Sequence, residues 1–435
     1  MLRLLLPLTF LASLLQAADW PQWRGPDLNG SSPETGLPSQ WSDTEGVKWS
    51  TPLPGVSGAT PAIVGDAIFI SSPDANRNLG LHCLDRKTGA LRWQKTVVEG
   101  GNIDKGKGNM ASPSPITDGQ RVYALYGTGD LAAFDMAGTP VWQRNLGADY
   151  GKFAVMWIYG SSPLLHEGKL YVQVLQRTPA PNDYPGLAGA AGDRESYLLA
   201  LDPASGKTLW KHVRPTDARM ESMESYATPI PHRGADGKTQ ILLVGGDCVT
   251  GHDPADGREL WRGLGLNPRR GEWMRVVPSP VSAEGLAVVC GPKKEAVLAF
   301  RTDLQGDISE KGLAWSFSEK KTPDVCTPAL YKGKLFLLDG DSQTLSCLDP
   351  KTGAVQWQGN LGDRTTVRAS PTVADGKVYI VNEKGTVFVC DAEGKEFRLL
   401  ATIPMGGGDP VRSAIAVAGG NLFIRTADRL VCVGK

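Results

Sequence analysis

The chain has 435 residues, with 46 basic and 46 acidic side chains and so no formal net charge. That balance excludes the clustered cationic excess on which nucleic-acid binding depends. Gly 52 and Pro 31 make up nearly a fifth of the residues while 41% are apolar, which favours a turn-rich all-β protein over disorder.

In chain order, Arg3 precedes an apolar stretch from Leu4 to Leu15 and then the small residues Ala17 and Ala18. This reads as a secretory signal peptide over residues 1–17, because the stretch is shorter than the roughly 20 residues a membrane span needs. No later segment could span a membrane, and no Cys stands near the cleavage point to carry a lipid anchor. The mature protein is expected in the periplasm or outside the cell, as a monomer. Residues 18–46 form an N-terminal arm that opens on "WPQWRGPDLNG" and carries Trp20, Trp23 and Trp41.

From Val47 to Lys435 the chain repeats itself. Eight phrases of the kind "ATPAIVGDAIFI" and "ASPTVADGKVYIV" carry Pro61, Pro113, Pro163, Pro229, Pro280, Pro328 and Pro371 at one position, and Ala414 in the last. Their spacing, roughly 43 to 66 residues, is close to that of propeller blades. A second phrase appears as "LHCLDRKTGALRW" (Leu81 to Trp93), "LLALDPASGKTLW" (Leu198 to Trp210) and "LSCLDPKTGAVQW" (Leu345 to Trp357).

Each unit parses into four strands: one after Ser/Thr-Pro, one after a Gly turn, one on the "LxCLD" run, and one ending on Trp. Pro at the start of the first strand fits an edge facing a central channel. Asp85, Asp202, Asp253 and Asp349 are placed to accept backbone N–H groups two residues on. Gly89, Gly206, Gly257 and Gly353 supply the positive φ such a turn needs. Trp49, Trp93, Trp142, Trp210, Trp261, Trp315 and Trp357 are the structural, docking tryptophans. A motif in so many copies is scaffolding, since an active site needs one.

The last unit ends at "LVCVGK" without a fourth strand, and "VKWSTPLP" near the start supplies it. The expected fold is all-β: an eight-bladed β-propeller of four-stranded antiparallel blades over residues 47–435, closed by the N-terminal strand joining the C-terminal blade. Cys83, Cys347 and Cys432 share a slot that holds Ala or Gly in other copies, so they read as small buried side chains rather than disulfide partners.

Subtracting the scaffold leaves the loops that lead from one blade to the next, around one mouth of the channel. Trp157, Tyr159, Glu224, Tyr226, Trp273, Arg275, Asp324, Arg368 and Arg412 are the candidate ligand-binding residues there. Arg with aromatics suits an anionic, flat or sugar-like ligand; the same charges also suit a structural ion-pair ring. The segment from Leu175 to Ser196 is a mobile cover, a partner contact or a neutral insertion. The five His show no metal-ligand spacing, and no metal site is expected. There is no phosphate loop or nucleophile elbow.

The Cys83–Trp93, Ala200–Trp210, Gly251–Trp261 and Cys347–Trp357 spacing resembles the tryptophan-docking repeat of pyrroloquinoline-quinone (PQQ) propellers. That resemblance covers Val47 to Lys435. It implies kinship with quinoprotein alcohol dehydrogenases, the BamB-type outer-membrane assembly lipoprotein and exported proteins of unassigned role, whose leader "WPQWRGPDLNG" resembles. The adjacent Cys pair of many quinoprotein dehydrogenases and the lipobox Cys of the assembly lipoprotein are both missing from this sequence. PQQ with Ca²⁺ is therefore implied by family alone, and no cofactor is predicted from the residues. The expectation is an exported, non-catalytic binding or interaction module for a protein, small molecule or glycan. A PQQ-dependent oxidoreductase and a cell-envelope assembly scaffold are the alternatives.

Overall fold

The computed structural model of the chain describes residues 19–42, 45–319 and 321–435. The expected signal peptide, residues 1–17, lies outside the described residues. Eight antiparallel four-stranded blades surround one axis, as the repeat predicts. Blade one comprises Ala62–Val64, Ala67–Pro73, Leu79–Asp85 and Leu91–Val98 from the axis outward. In blade eight, Ala416–Ala418, Asn421–Arg425 and Arg429–Gly434 are completed by Val47–Pro52, so the two ends of the chain close the ring. Among the described residues no helix is long and apolar enough to cross a membrane.

Pairing within the blades explains the small slot of the motif. Cys83 lies directly opposite Trp93, Ala133 opposite Trp142, Ala200 opposite Trp210, Cys347 opposite Trp357 and Cys432 opposite Trp49. A larger side chain there would displace the indole. All seven cysteines are buried and free.

The tryptophans stand near the start of each fourth strand rather than at its end, and each reaches across a seam to the following blade. Trp93 Nε1 donates to Met136 O (3.1 Å), Trp142 to Pro203 O (2.9 Å) and Trp315 to Pro350 O (3.0 Å). The indoles of Trp49, Trp93, Trp142, Trp210 and Trp315 each lie on the turn glycine of that next blade, while Trp357 packs on Phe397 of blade seven. A Cβ on Gly353, whose φ is +71°, would come within 2.6 Å of the Trp315 ring. Trp261 departs from this. Blade five replaces the short turn with a longer segment, Gly306–Asp307 of which pairs parallel with Glu259–Gly263 of blade four. Trp261 instead folds onto its own Gly251 and donates to Gln240 Oε1 at 2.6 Å.

A second seam runs around the axis. In blades one to seven a Ser or Thr stands two residues before the first strand, and in blades two to seven its hydroxyl accepts the backbone N–H of the corresponding residue in the preceding blade. The links are Thr60 N to Ser114 Oγ, Ser114 N to Ser162 Oγ, Ser162 N to Thr228 Oγ1, Thr228 N to Ser279 Oγ, Ser279 N to Thr327 Oγ1 and Thr327 N to Ser370 Oγ, all 2.8–3.0 Å. This register corrects one expectation. In "ASPSPITDG" the equivalent proline is Pro115, which precedes Ile116–Thr117, and not Pro113. Between blades eight and one, buried Arg425 donates to Ala59 O and Ser71 O (3.1 and 2.9 Å).

The N-terminal arm enters the axial channel. Trp20 pairs with Ile63 of blade one, Thr117 N of blade two donates to Pro21 O, Leu330 N of blade six to Asn29 O and Val373 N of blade seven to Gly30 O. Ser31–Ser32 adds a parallel strand to the axial edge of blade seven. Arg24 is fully buried and donates to Pro371 O (2.7 Å) and Pro328 O (2.6 Å); burial lowers its pKa to about 9. Gly30 must be glycine, because φ is +77° and a Cβ would meet Arg24 Nη2 at 1.9 Å.

The axial belt carries a direct test. Ser279→Ala orphans the buried Thr228 N–H and is expected to destabilise the protein by about 1–3 kcal/mol, whereas Ser279→Thr keeps the hydroxyl and most of the stability. Urea unfolding followed by Trp fluorescence measures both; equal midpoints for Ser279→Ala and the native chain would reject the belt as a stabilising element.

Candidate functional site

Sealing one end of the channel turns it into a cup. The cavity is about 610 Å³; Trp23 of the arm contributes to its lining, together with the belt hydroxyls and residues of the inter-blade loops. Six of the nine sequence candidates line it: Trp157, Tyr226, Arg275, Asp324, Arg368 and Arg412.

Three do not. Tyr159 is buried in the core of blades two and three and donates to Gln173 O at 2.5 Å, so it belongs to the scaffold. Trp273 is 46% exposed, outside the cup, on the loop into blade five. Glu224 lies behind the wall with no exposed surface.

Glu224 nevertheless organises one side of the cup. Its carboxylate accepts from Met156 N (2.8 Å), Tyr226 OH (2.9 Å) and Tyr184 OH (2.7 Å). Trp157 is held in turn by its N–H to Tyr226 OH (3.0 Å) and its indole Nε1 to Glu221 Oε1 (2.7 Å). Burial is the largest influence on Glu224 and outweighs those three donors, raising its pKa to about 7; the neighbouring Glu221 adds to the rise. Tyr184 comes from the insertion between Val174 and Tyr197. That insertion is packed down rather than a loose cover, since Ala180, Tyr184 and Leu187 form a small core with Ala154.

The opposite side holds charges in pairs. Arg275 grips Asp324 through both guanidinium nitrogens (2.8 and 2.9 Å). Burial works to raise the Asp324 pKa, but this fork and the Lys293 N–H outweigh it and hold the carboxyl below its ordinary value. Arg368 pairs with Asp341 at 2.9 Å and Arg412 with Glu383 at 2.8 Å. Sequence reasoning named the three arginines but missed Asp341 and Glu383, which stand in the same mouth, and Tyr184 and Glu221. It also missed Lys107, whose ammonium lies 4.1 Å from the Trp157 ring centroid.

A closed ring of eight such blades, joined by tryptophans and enclosing a polar cup, defines a PQQ-like propeller. The chain matches the family model for outer membrane protein assembly factor BamB over residues 34–179, 156–315 and 194–434, and it belongs to that family. It is 26% identical over 271 residues to a polyvinylalcohol dehydrogenase of a Pseudomonas species, covering 56% of this chain and only 40% of that enzyme. Its fold is similar to that of BamB from Moraxella catarrhalis (TM-score 0.60, 14% identity, 89% of this chain and 99% of that one). It is also similar to that of quinohemoprotein alcohol dehydrogenase from Comamonas testosteroni (TM-score 0.64, 13% identity, 96% and 81%).

Most of the charged residues at the mouth are already committed to one another. All three arginines are engaged by carboxylates, and Glu224 is turned into the wall by three donors. Among the described residues no three His, Cys, Asp or Glu converge as a metal-binding group.

Glu224 sets a pH dependence with a definite sign. Its folded pKa of about 7 exceeds the unfolded 4.5, so the folded state holds a proton that the unfolded chain releases in that window. Stability from this group is full below pH 4.5 and declines as pH rises to 7, by up to about 3 kcal/mol. Glu224→Gln is expected to flatten the decline between pH 5 and 8 in thermal unfolding; an unchanged slope would assign it to other groups.

Proposed function

We propose that the protein is an exported, non-catalytic binding module that receives its ligand or partner in the blind cup. The observation that carries this is the cup itself: a preformed cavity, closed at one end by the chain's own arm, with its three arginines already paired. Those side chains hold shape instead of standing free for proton transfer or nucleophilic attack. Pockets of this size, with a few converging polar groups, commonly bind small molecules.

Family membership supports a second reading, a cell-envelope assembly scaffold that docks protein partners. One local feature favours it. Trp273, Arg269 and Arg270 are all exposed within five residues of one another on the loop into blade five, and Trp and Arg are enriched among the residues that anchor protein interfaces.

Titration with PQQ and Ca²⁺, followed by Trp fluorescence, separates these readings from the oxidoreductase alternative. A flat titration and no dye-linked alcohol oxidation are expected. Saturable quenching, weakened in both Arg368→Ala and Arg412→Ala, would overturn the non-catalytic reading and establish a quinone site at the mouth.

A further inference from the structure

Resting on the binding-module reading, we infer that the cup takes a neutral saccharide, seated with one sugar face on Trp157 and its hydroxyl groups on the axial belt. The first argument is the hydrogen-bonding state of the belt. Ser114, Ser162, Thr228, Ser279, Thr327 and Ser370 all line the cavity, and each uses its hydroxyl oxygen to accept a neighbour's N–H. Among the described residues none of the six donates a hydrogen bond. A hydroxyl has one proton and two lone pairs, so each retains one donor and one acceptor. A ring of groups that both donate and accept matches a ligand whose own groups are hydroxyls.

Charge supplies the second argument. Of the four cations that line the cup, Arg275, Arg368 and Arg412 each hold a carboxylate, so among the described residues an anionic ligand would find one unpaired partner, the exposed Lys107 ammonium over Trp157. Breaking the Arg275–Asp324 fork would leave two charges, each mostly buried, without partners, which is costly. Kept intact, the bidentate Arg275–Asp324 pair sets donor and acceptor groups side by side, a pattern that vicinal diols match.

The third argument is the aromatic platform. Trp157 is fixed by Glu221 and Tyr226, so little conformational freedom is lost when a ligand stacks on it. Its cover is Lys107, an exposed residue between Gly106 and Gly108 that has no carboxylate partner among the described residues. An exposed cation–π contact is worth only about 0.5–1 kcal/mol, so a sugar face can displace it. The cavity, about 610 Å³, has room for a short saccharide.

Isothermal titration against cellobiose, maltose, chitobiose and mannobiose, preceded by a glycan array, tests this. Galacturonate and glucose 6-phosphate serve as anionic probes. At least one neutral saccharide should bind saturably, and Trp157→Ala should weaken it by roughly tenfold or more, the scale of an aromatic anchor. Lys107→Ala should tighten it by about two- to fivefold. Because Trp157→Ala also removes the indole hydrogen bond to Glu221, Gly160→Trp provides a second block. Gly160 lines the cup, and a Cβ there would meet nothing nearer than Ser112 Cβ at 4.0 Å, so a side chain can start from this position without a clash and take up space in the cup; an unchanged urea midpoint for the variant checks that the belt is intact.

Loss of saccharide binding in Gly160→Trp supports the assignment. Binding that survives in both Trp157→Ala and Gly160→Trp, or an array with no neutral hit, overturns it. If only an anionic probe binds and Gly160→Trp abolishes that, the saccharide is wrong while the cup remains a binding site. If neither class binds and native and Gly160→Trp proteins capture the same partners from envelope extracts, the cup reading fails as well.

Discussion

A backbone N–H donated to the hydroxyl of the next blade is the contact on which the architecture depends. In most blades the acceptor is a Ser or Thr that precedes Pro, and a residue before Pro is confined to extended backbone. The side chain is thereby aimed across the seam before any tertiary contact forms. Six such links fix the distance of each innermost strand from the axis, and so the points from which the mouth loops rise. Where Ala414 replaces proline the pattern changes: the Ser413 hydroxyl turns to its own chain at Ala414 O, and the closing junction is held by Arg425.

The outer seam obeys a second rule, one indole per turn glycine, and its exceptions are informative. Blade five spends its turn on an insertion, leaving Trp261 no glycine to cover; the indole rotates inward and the inserted strand extends blade four instead. Blade seven lacks a tryptophan, and its Phe397 packs against Trp357 of blade six at a ring separation of 6.0 Å. Trp41 of the arm donates to Met405 Sδ at 2.9 Å within the core shared by blades seven and eight. The arm thus serves both seams, with Arg24 at the axis and Trp41 further out.

Most of the fold was legible because it is local and repeated. Asp85 accepting from Lys87 N and Thr88 N, and Gly89 at φ +72°, are fixed by a few neighbouring residues, and the same spelling recurs. The belt was half legible: the Ser/Thr-Pro phrase was visible, but the doubled "SPSP" admitted two registers until pairing chose Pro115. The site was less legible because its members occur once each. Tyr159 and Trp157 are two residues apart, yet one enters the core and the other the cup, and no periodicity distinguishes them in a loop without regular structure. Arg24 inside the channel could not be read at all, since its partners Pro328 and Pro371 are more than 300 residues away.

That contrast bears on where function can reside. Repetition makes the scaffold redundant and leaves the single-copy residues to carry recognition, and these are not spread evenly around the ring. Lys107, Trp157, Tyr184, Glu221, Glu224 and Tyr226 gather on the side of blades two to four, where one buried carboxylate ties three segments together. The side formed by blades five to eight presents Arg275–Asp324, Arg368–Asp341 and Arg412–Glu383. The cup therefore has an aromatic wall and a wall of neutralised ion pairs, joined by a ring of hydroxyls. A ligand that uses all three must offer an apolar face, abundant hydroxyl-type hydrogen bonding and no strong net charge, and the arm that blocks the far end requires it to enter and leave by the same mouth.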